Sequence, residues 1–171
     1  MLETNDDDDD DVEPSNQHNP SSSDGQSAST ESPFDYIRVE DLPCIDLPPQ
    51  TMRRLLSIYS CNVDQVMKVV HFPTLRRCIE DGGMYLGYSV ESHAFGALRS
   101  AFSYISVVSL DARKCLDYLG EHKAKLVERW QSHTEIWLRK ADMVNNHNIV
   151  VLQAMILYAV CINLSAHQLP I

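Results

Sequence analysis

Sixteen consecutive residues, Ile149 to Leu164, carry no charge, and Gln153 is the one strongly polar side chain in their first half. The run falls short of the roughly 18 to 20 residues that a membrane span needs. It is apolar nearly all round, so it reads as a helix buried at the centre of a globular fold, the most covered element of the chain. Such a helix needs neighbours on most sides, because roughly 25 cal/mol is lost for each Å² of apolar surface left wet. Any side without a neighbour makes the chain sticky.

Charge divides the chain unevenly. Residues 1 to 50 hold 14 of the 24 acidic residues and a single base, Arg38, a formal −13; the other 121 residues hold ten acids and 13 bases, +3. From Met1 to about Ser32 the chain runs through six aspartates (Asp6 to Asp11) and then Pro, Ser, Asn, Gln and Gly. This composition cannot bury enough surface to offset the roughly 1 to 2 kcal/mol per residue of backbone ordering, so disorder is expected. Next come Phe34, Tyr36, Ile37, Val39, Leu42, Ile45 and Leu47, interleaved with Asp35, Glu40, Asp41 and Asp46. Alternating acidic and bulky apolar residues resemble an acidic activation segment, with Phe34, Tyr36, Ile37, Leu42 and Ile45 as its contact residues. The plainer alternative is a linker whose apolar side chains pack on the fold it leads into. Residues 1–49 are thus assigned to an acidic tail and linker, and 50–171 to a folded domain.

Periodicity beyond Pro49 is helical. Met52, Leu55, Leu56 and Tyr59 form one stripe opposite Arg53 and Arg54, predicting a helix over about 50–61. Residues 62–72, rich in Val and leading to His71-Phe72-Pro73, read as a connector with its apolar groups in the core. A short helix starts at Thr74 and ends before Asp81-Gly82-Gly83. A long one covers about 90–109, its stripe Ala94, Ala97, Leu98, Ala101, Phe102, Ile105 and Val108, with Gly96 and Ser100 letting a neighbour approach closely. Asp111 caps a short helix that Gly120 closes. Two more follow, over about 121–143 (stripe Leu126, Trp130, Trp137 and Ala141, with Lys123, Lys125, Arg129, Arg139 and Lys140 in water) and 148–164. No segment alternates with period two, so the expectation is all-α, an array of antiparallel helices.

Chemistry-bearing constellations are weak. His122 and His133 lie eleven residues apart on one helix, with no i, i+4 ligand pair, and read as surface histidines. His71 reads as a core or capping residue, and Glu91-Ser92-His93 as a capped first turn. Gly82-Gly83 lacks the Lys-Ser/Thr of a phosphate loop. Cys61, Cys78, Cys115 and Cys161 sit among apolar residues as inert buried thiols, and Cys44 has no near partner. No enzyme, metal site, cofactor, export signal or membrane segment is expected. A +3 domain without a basic stripe, beside a −13 tail, is a poor nucleic-acid surface.

Four blocks then fall in a familiar order: Tyr59 with Val63-Asp64 and Lys68-Val69-Val70-His71-Phe72-Pro73-Thr74-Leu75; Leu98 to Leu110; Trp130 to Met143; and Leu152-Gln153-Ala154 with Leu157-Tyr158. Together, over about residues 52–164, they resemble the regulatory domain of fungal zinc binuclear cluster transcription factors. The resemblance implies a helical, nuclear regulator of a dedicated gene set such as a metabolite biosynthesis cluster. In that family a cluster of six close cysteines holds two zinc ions and touches DNA; this chain has no cysteine before Cys44, so neither metal nor direct DNA contact is carried over. The family domain also continues past the Leu-Gln-Ala helix, so these residues read as part of it. The partners implied are proteins: a second copy, a homologous factor, or a coactivator. The alternative reading is a helical interaction module that modulates a full-length homologue without binding DNA.

Overall fold

Proline opens the first helix of the computed structural model, which describes residues 47–166. Pro48 is the N-cap and Pro49 the first residue of α1 (Pro49–Asn62), where a missing N–H leaves no bond unmade. Leu55, Leu56, Ile58 and Tyr59 are buried while Arg53 and Arg54 face water, as the stripe requires. The Tyr59 ring, with no exposed surface, stacks on Phe72 at 5.8 Å between centroids and tilts against Phe102 at 5.0 Å.

The connector behaves as expected at Val63 and Val70, which are buried, but not at Val66, which is 86% exposed. Helix α2 (Phe72–Asp81) begins two residues before Thr74, because Pro73 is tolerated within a first turn. Gly82 and Gly83, both at positive φ, then turn the chain. No strand was expected, yet β1 (Met84–Tyr85) and β2 (Tyr88–Ser89) pair antiparallel, Tyr85 opposite Tyr88. Leu86 and Gly87 between them both have positive φ, the requirement of a type I′ hairpin turn. Two-residue strands are too short to show an alternating pattern, so periodicity had nothing to register.

Ser92 starts α3 (His93–Val108) by accepting the Phe95 amide on its Oγ at 3.2 Å. Every residue of α3 except His93 and Arg99 is buried. This corrects the expectation for the C-terminal helix: α3 is the central element, with α1, α5 and α6 packed around it. Small residues rather than bulk make that possible. At Gly96 a Cβ would lie 2.3 Å from Trp137 Cε3, so the helices touch backbone to ring. Ser100, Ser103 and Ser106 are buried there at no unpaired cost, each hydroxyl donating at 2.8 Å to the carbonyl four residues back.

Asp111 accepts the Lys114 amide at 2.7 Å and caps α4 (Ala112–Leu119), and Gly120 in the left-handed region closes it. In α5 (Lys123–Lys140), Leu126 and Trp130 face the core with Ala141 just beyond its end. Lys123 is not simply a solvated cation; its ammonium donates to the Val108 and Leu110 carbonyls at 3.1 and 2.5 Å, tying α5 to the end of α3. Asn148 Oδ1 accepts the Val150 amide at 2.7 Å to start α6 (Ile149–Ala166). The class is all-α with one small hairpin.

Candidate functional site

Helix α6 contains no Asp, Glu, Lys or Arg, and it has two unlike faces. Val150, Val151, Ala154, Leu157 and Cys161 are buried against the core, where α3 lies. On the other side Ile149, Leu152 and Ile156 are 52, 49 and 41% exposed, and Ala159 and Asn163 are exposed too. The expectation of a helix covered all round is therefore corrected. Helix α3 already fills the centre, and the next layer has no element over the outer side of α6 among the described residues.

Gln153 stands at the boundary between these faces and joins distant parts of the chain. Its amide Nε2 donates to the Val69 carbonyl at 2.8 Å, and its Oε1 accepts from the Tyr85 hydroxyl at 3.2 Å. Tyr85 Oη in turn receives the His71 amide at 3.3 Å. One side chain of α6 thus holds the connector 63–71 and the hairpin. Burial raises the Tyr85 phenol above its ordinary pKa, so it stays a donor. His71 itself is exposed at the N-cap position of α2, its Nδ1 2.7 Å from Thr74 Oγ1; its ring makes no bond to the helix backbone, so it is neither the core histidine nor the side-chain cap expected.

A second polar knot sits between α3 and α5. His122 is exposed as expected, but His133 is only 4% exposed, wedged between Trp130 and Trp137. Trp137 Nε1–H donates to His133 Nε2 at 3.2 Å, which requires Nε2 to be unprotonated; Nδ1 then carries the proton, 3.0 Å from Ser100 Oγ. Burial first, then the Arg99, Lys140 and Arg129 charges, pulls the imidazole down to about 4. His133 is thus a neutral structural histidine, not a surface one. Its spacing from Leu126, Trp130, Trp137 and Ala141 was the available signal, since 126, 130, 133, 137 and 141 trace one helical face.

Further along, Tyr158 of α6 donates to Glu135 Oε1 at 2.5 Å, and Gln131 Nε2 donates to the same oxygen at 3.2 Å. Burial and then the Glu135 carboxylate raise the Tyr158 phenol. These groups fasten α5 to α6. A cleft of about 470 Å³ between α1 and α4 is lined by Ile58, Cys61, Leu110 and Tyr118, with Arg54 donating across it to the Tyr118 carbonyl at 2.8 Å. Cys61 is exposed, contrary to expectation, because it lies on the outer side of the last turn of α1; Cys78, Cys115 and Cys161 are buried, and burial raises each thiol.

Among the described residues no group of three or more His, Cys, Asp or Glu is placed to hold a metal ion, and no helix is long and apolar enough to cross a membrane. The sequence-derived contact residues Phe34, Tyr36, Ile37, Leu42 and Ile45, with most of the tail 1–49, lie outside the described residues.

Neither a family model nor a solved structure matches the chain. Curated relatives do. The C6 finger domain transcription factor adaR of Aspergillus niger is 33% identical over 112 residues, 66% of this chain and 14% of the relative. The C6 finger domain transcription factor nscR of Arthroderma gypseum is 32% identical over 107 residues, 63% of this chain and 15% of the relative. The transcription factor vrtR2 of Penicillium aethiopicum is 32% identical over 108 residues, 63% and 13%. All three are named as transcription factors and none as an enzyme. Over about two thirds of its length the chain is thus similar to fungal transcription factors, two of them named as C6 finger proteins, and it spans about one seventh of their length.

Proposed function

We propose that the chain is a transcription regulator of the fungal-specific type, acting in the nucleus through protein contacts on a gene set such as a metabolite biosynthesis cluster. The observation that carries this reading is the one-third identity, over about two thirds of the chain, to three proteins named as transcription factors. In this reading residues 1–50 contact a coactivator through Phe34, Tyr36, Ile37, Leu42 and Ile45, and the helical domain contacts protein through surfaces it leaves apolar. Direct DNA binding is not assigned to it, since its domain carries +3 with no concentrated basic stripe and no cysteine pair for a zinc cluster.

Tethering residues 1–50 to a heterologous DNA-binding domain tests the reading. Reporter activation that falls when Phe34, Tyr36 and Leu42 are replaced by Ala supports it; a silent reporter refutes the coactivator contact. The uncovered side of α6 favours a second reading, an interaction module that modulates a full-length homologue. A silent reporter together with capture of such a homologue by the intact chain is its expected outcome.

A further inference from the structure

Helix α3, the most covered element, carries a single Arg and no Lys, Asp or Glu; that residue, Arg99, is only half-buried. No ion pair among the described residues includes it. Elsewhere α3 gives each of its buried serine hydroxyls an acceptor, so a guanidinium without an acid stands out. Arg99 borders a cleft of about 310 Å³ whose walls are largely apolar, formed by Leu47, Met52, Ile79, Val90 and Phe95. Glu80 also reaches the cleft, but Arg76 holds its carboxylate at 3.0 Å. An apolar hollow beside a cation without an acid suits an occupant with an aliphatic group and a neighbouring carboxylate.

We propose that the chain's own segment Leu42–Asp46 fills this cleft, with Ile45 among the apolar walls and the Asp46 carboxylate on the Arg99 guanidinium, and that the segment is thereby withheld from a coactivator. The withholding rests on the reading of these residues as an activation segment; the docking does not. Position, geometry and charge select the occupant. Leu47, the first described residue, itself lines the cleft, so the preceding residues are tethered at it. Pro48 has extended backbone, φ −51° and ψ 139°, and a residue before proline is held extended as well. An extended chain alternates its side chains, so Ile45 shares the side of Leu47 and Asp46 takes the other. Residues 1–50 carry −13 against +3 for the rest, and Asp46 is the acid nearest Leu47 in sequence. A free carboxylate would have to compete with one tethered a residue away, at an effective concentration in the millimolar range.

Strength sets the behaviour. Burial of one isoleucine and closure of one partly exposed ion pair are opposed by the ordering of about five residues of backbone, and the terms are similar in size. The closed form is therefore favoured by roughly tenfold or less, and a partner groove that takes Leu42 and Ile45 together opens it. Packing linker and activation segment are then two states of the same residues.

Hydrogen exchange of the intact 171-residue chain, resolved at the amides of Leu42, Cys44, Ile45 and Asp46, tests the docking. Slowing by about three- to tenfold relative to a peptide of residues 37–50 is expected. Arg99→Glu removes the slowing, Asp46→Arg removes it, and the two together restore it. Asp46→Arg precedes α1 and decides the matter if Arg99→Glu does not fold; Glu13→Arg, the same change of charge far off in sequence, leaves the slowing intact. Exchange at the peptide's rate, slowing indifferent to Asp46→Arg, or a folded double variant that stays fast overturns the proposal. So does slowing that grows with protein concentration, the mark of a second copy in the cleft. For the withholding, residues 1–171 tethered to a DNA-binding domain should activate a reporter severalfold less than residues 1–50, and Arg99→Gln in the longer chain should close most of that gap. Equal activation from the two lengths, or no effect of Arg99→Gln, overturns it. A silent reporter from residues 1–50 removes the coactivator reading and the withholding with it, while exchange, measured without any coactivator, still decides the docking.

Discussion

Gly96→Ala isolates the closest approach in the fold, and its sign is the informative part. Inside an ordinary helix the change gains about 1 kcal/mol, since glycine has more conformational freedom to lose. Here the new methyl would sit 2.3, 2.5 and 2.8 Å from Cε3, Cζ3 and Cδ2 of Trp137, and a whole indole has to retreat. That ring is not free to swing. Its Nε1–H is bonded to His133 at 3.2 Å, and Lys140 Nζ lies over it, 5.1 Å from the ring centre. Overpacking costs about 1 to 3 kcal/mol, and loss of the indole hydrogen bond adds about 1. After subtracting the helix gain, the domain loses about 1 to 3 kcal/mol. Urea unfolding followed by tryptophan fluorescence measures this directly, because both tryptophans of the chain, Trp130 and Trp137, lie on α5. In a Trp137→Leu background the same Gly96→Ala change should cost little or stabilise. Unchanged or increased stability of Gly96→Ala in the native background refutes the close α3–α5 packing.

Two further perturbations probe the polar knots. His133 has a folded pKa of about 4 against about 6.5 when unfolded, so below pH 6.5 the unfolded chain binds a proton that the folded one refuses. Its contribution is constant above pH 6.5 and declines as pH falls toward 4, by on the order of 2 to 3 kcal/mol. Urea midpoints at stepped pH should show this decline, and His133→Gln, which keeps an acceptor for Trp137, should flatten it; equal slopes in both proteins refute the buried neutral histidine. Gln153→Leu strands the Val69 carbonyl and the Tyr85 hydroxyl together, a loss of about 1 to 3 kcal/mol. Faster hydrogen exchange at the His71 amide is its signature, and adjacent Leu152→Gln, on the exposed face, should shift stability by less than about 0.5 kcal/mol.

Local chemistry was the legible part of the fold. Asp111 and Gly120 bracket α4, Ser92 caps α3, and Gly82-Gly83 turns the chain, because each depends on a few adjacent backbone atoms. The small residues of α3 announced a close neighbour, and Trp137 fills that place. Rank in burial was not legible. Helix α6 is the more apolar, yet α3 is the more covered, because hydrophobicity measures the gain on burial and not whether a neighbour exists to supply it. His133 was misread through the charges beside it in sequence, though its helical phase with Trp130 and Trp137 pointed inward.

The blocks that carry the resemblance prove to be one another's partners, and this bears on where function resides. Gln153 of the Leu-Gln-Ala block holds Val69 of the connector block, 84 residues away, and receives Tyr85, whose hydroxyl takes the His71 amide. Tyr59 at the start of the first block packs on Phe72 at its end and on Phe102 of the small-residue helix. Trp130 and Trp137 of the third block enclose His133, which lies 3.0 Å from Ser100 Oγ of the small-residue helix, and Trp137 lies against Gly96 one turn earlier. Side chains so committed to internal bonds have little left for a ligand. The resemblance therefore records how the helices are joined, and a change at one of these internally bonded side chains acts first on stability. Ile149, Leu152 and Ile156 are left partly exposed, on the same helix as Gln153 and oriented by the fold that Gln153 secures. Variants of the two kinds should separate in one experiment: Gln153→Leu lowers the urea midpoint, whereas Ile156→Glu, at a 41% exposed site, leaves it nearly unchanged, and equal losses refute the division.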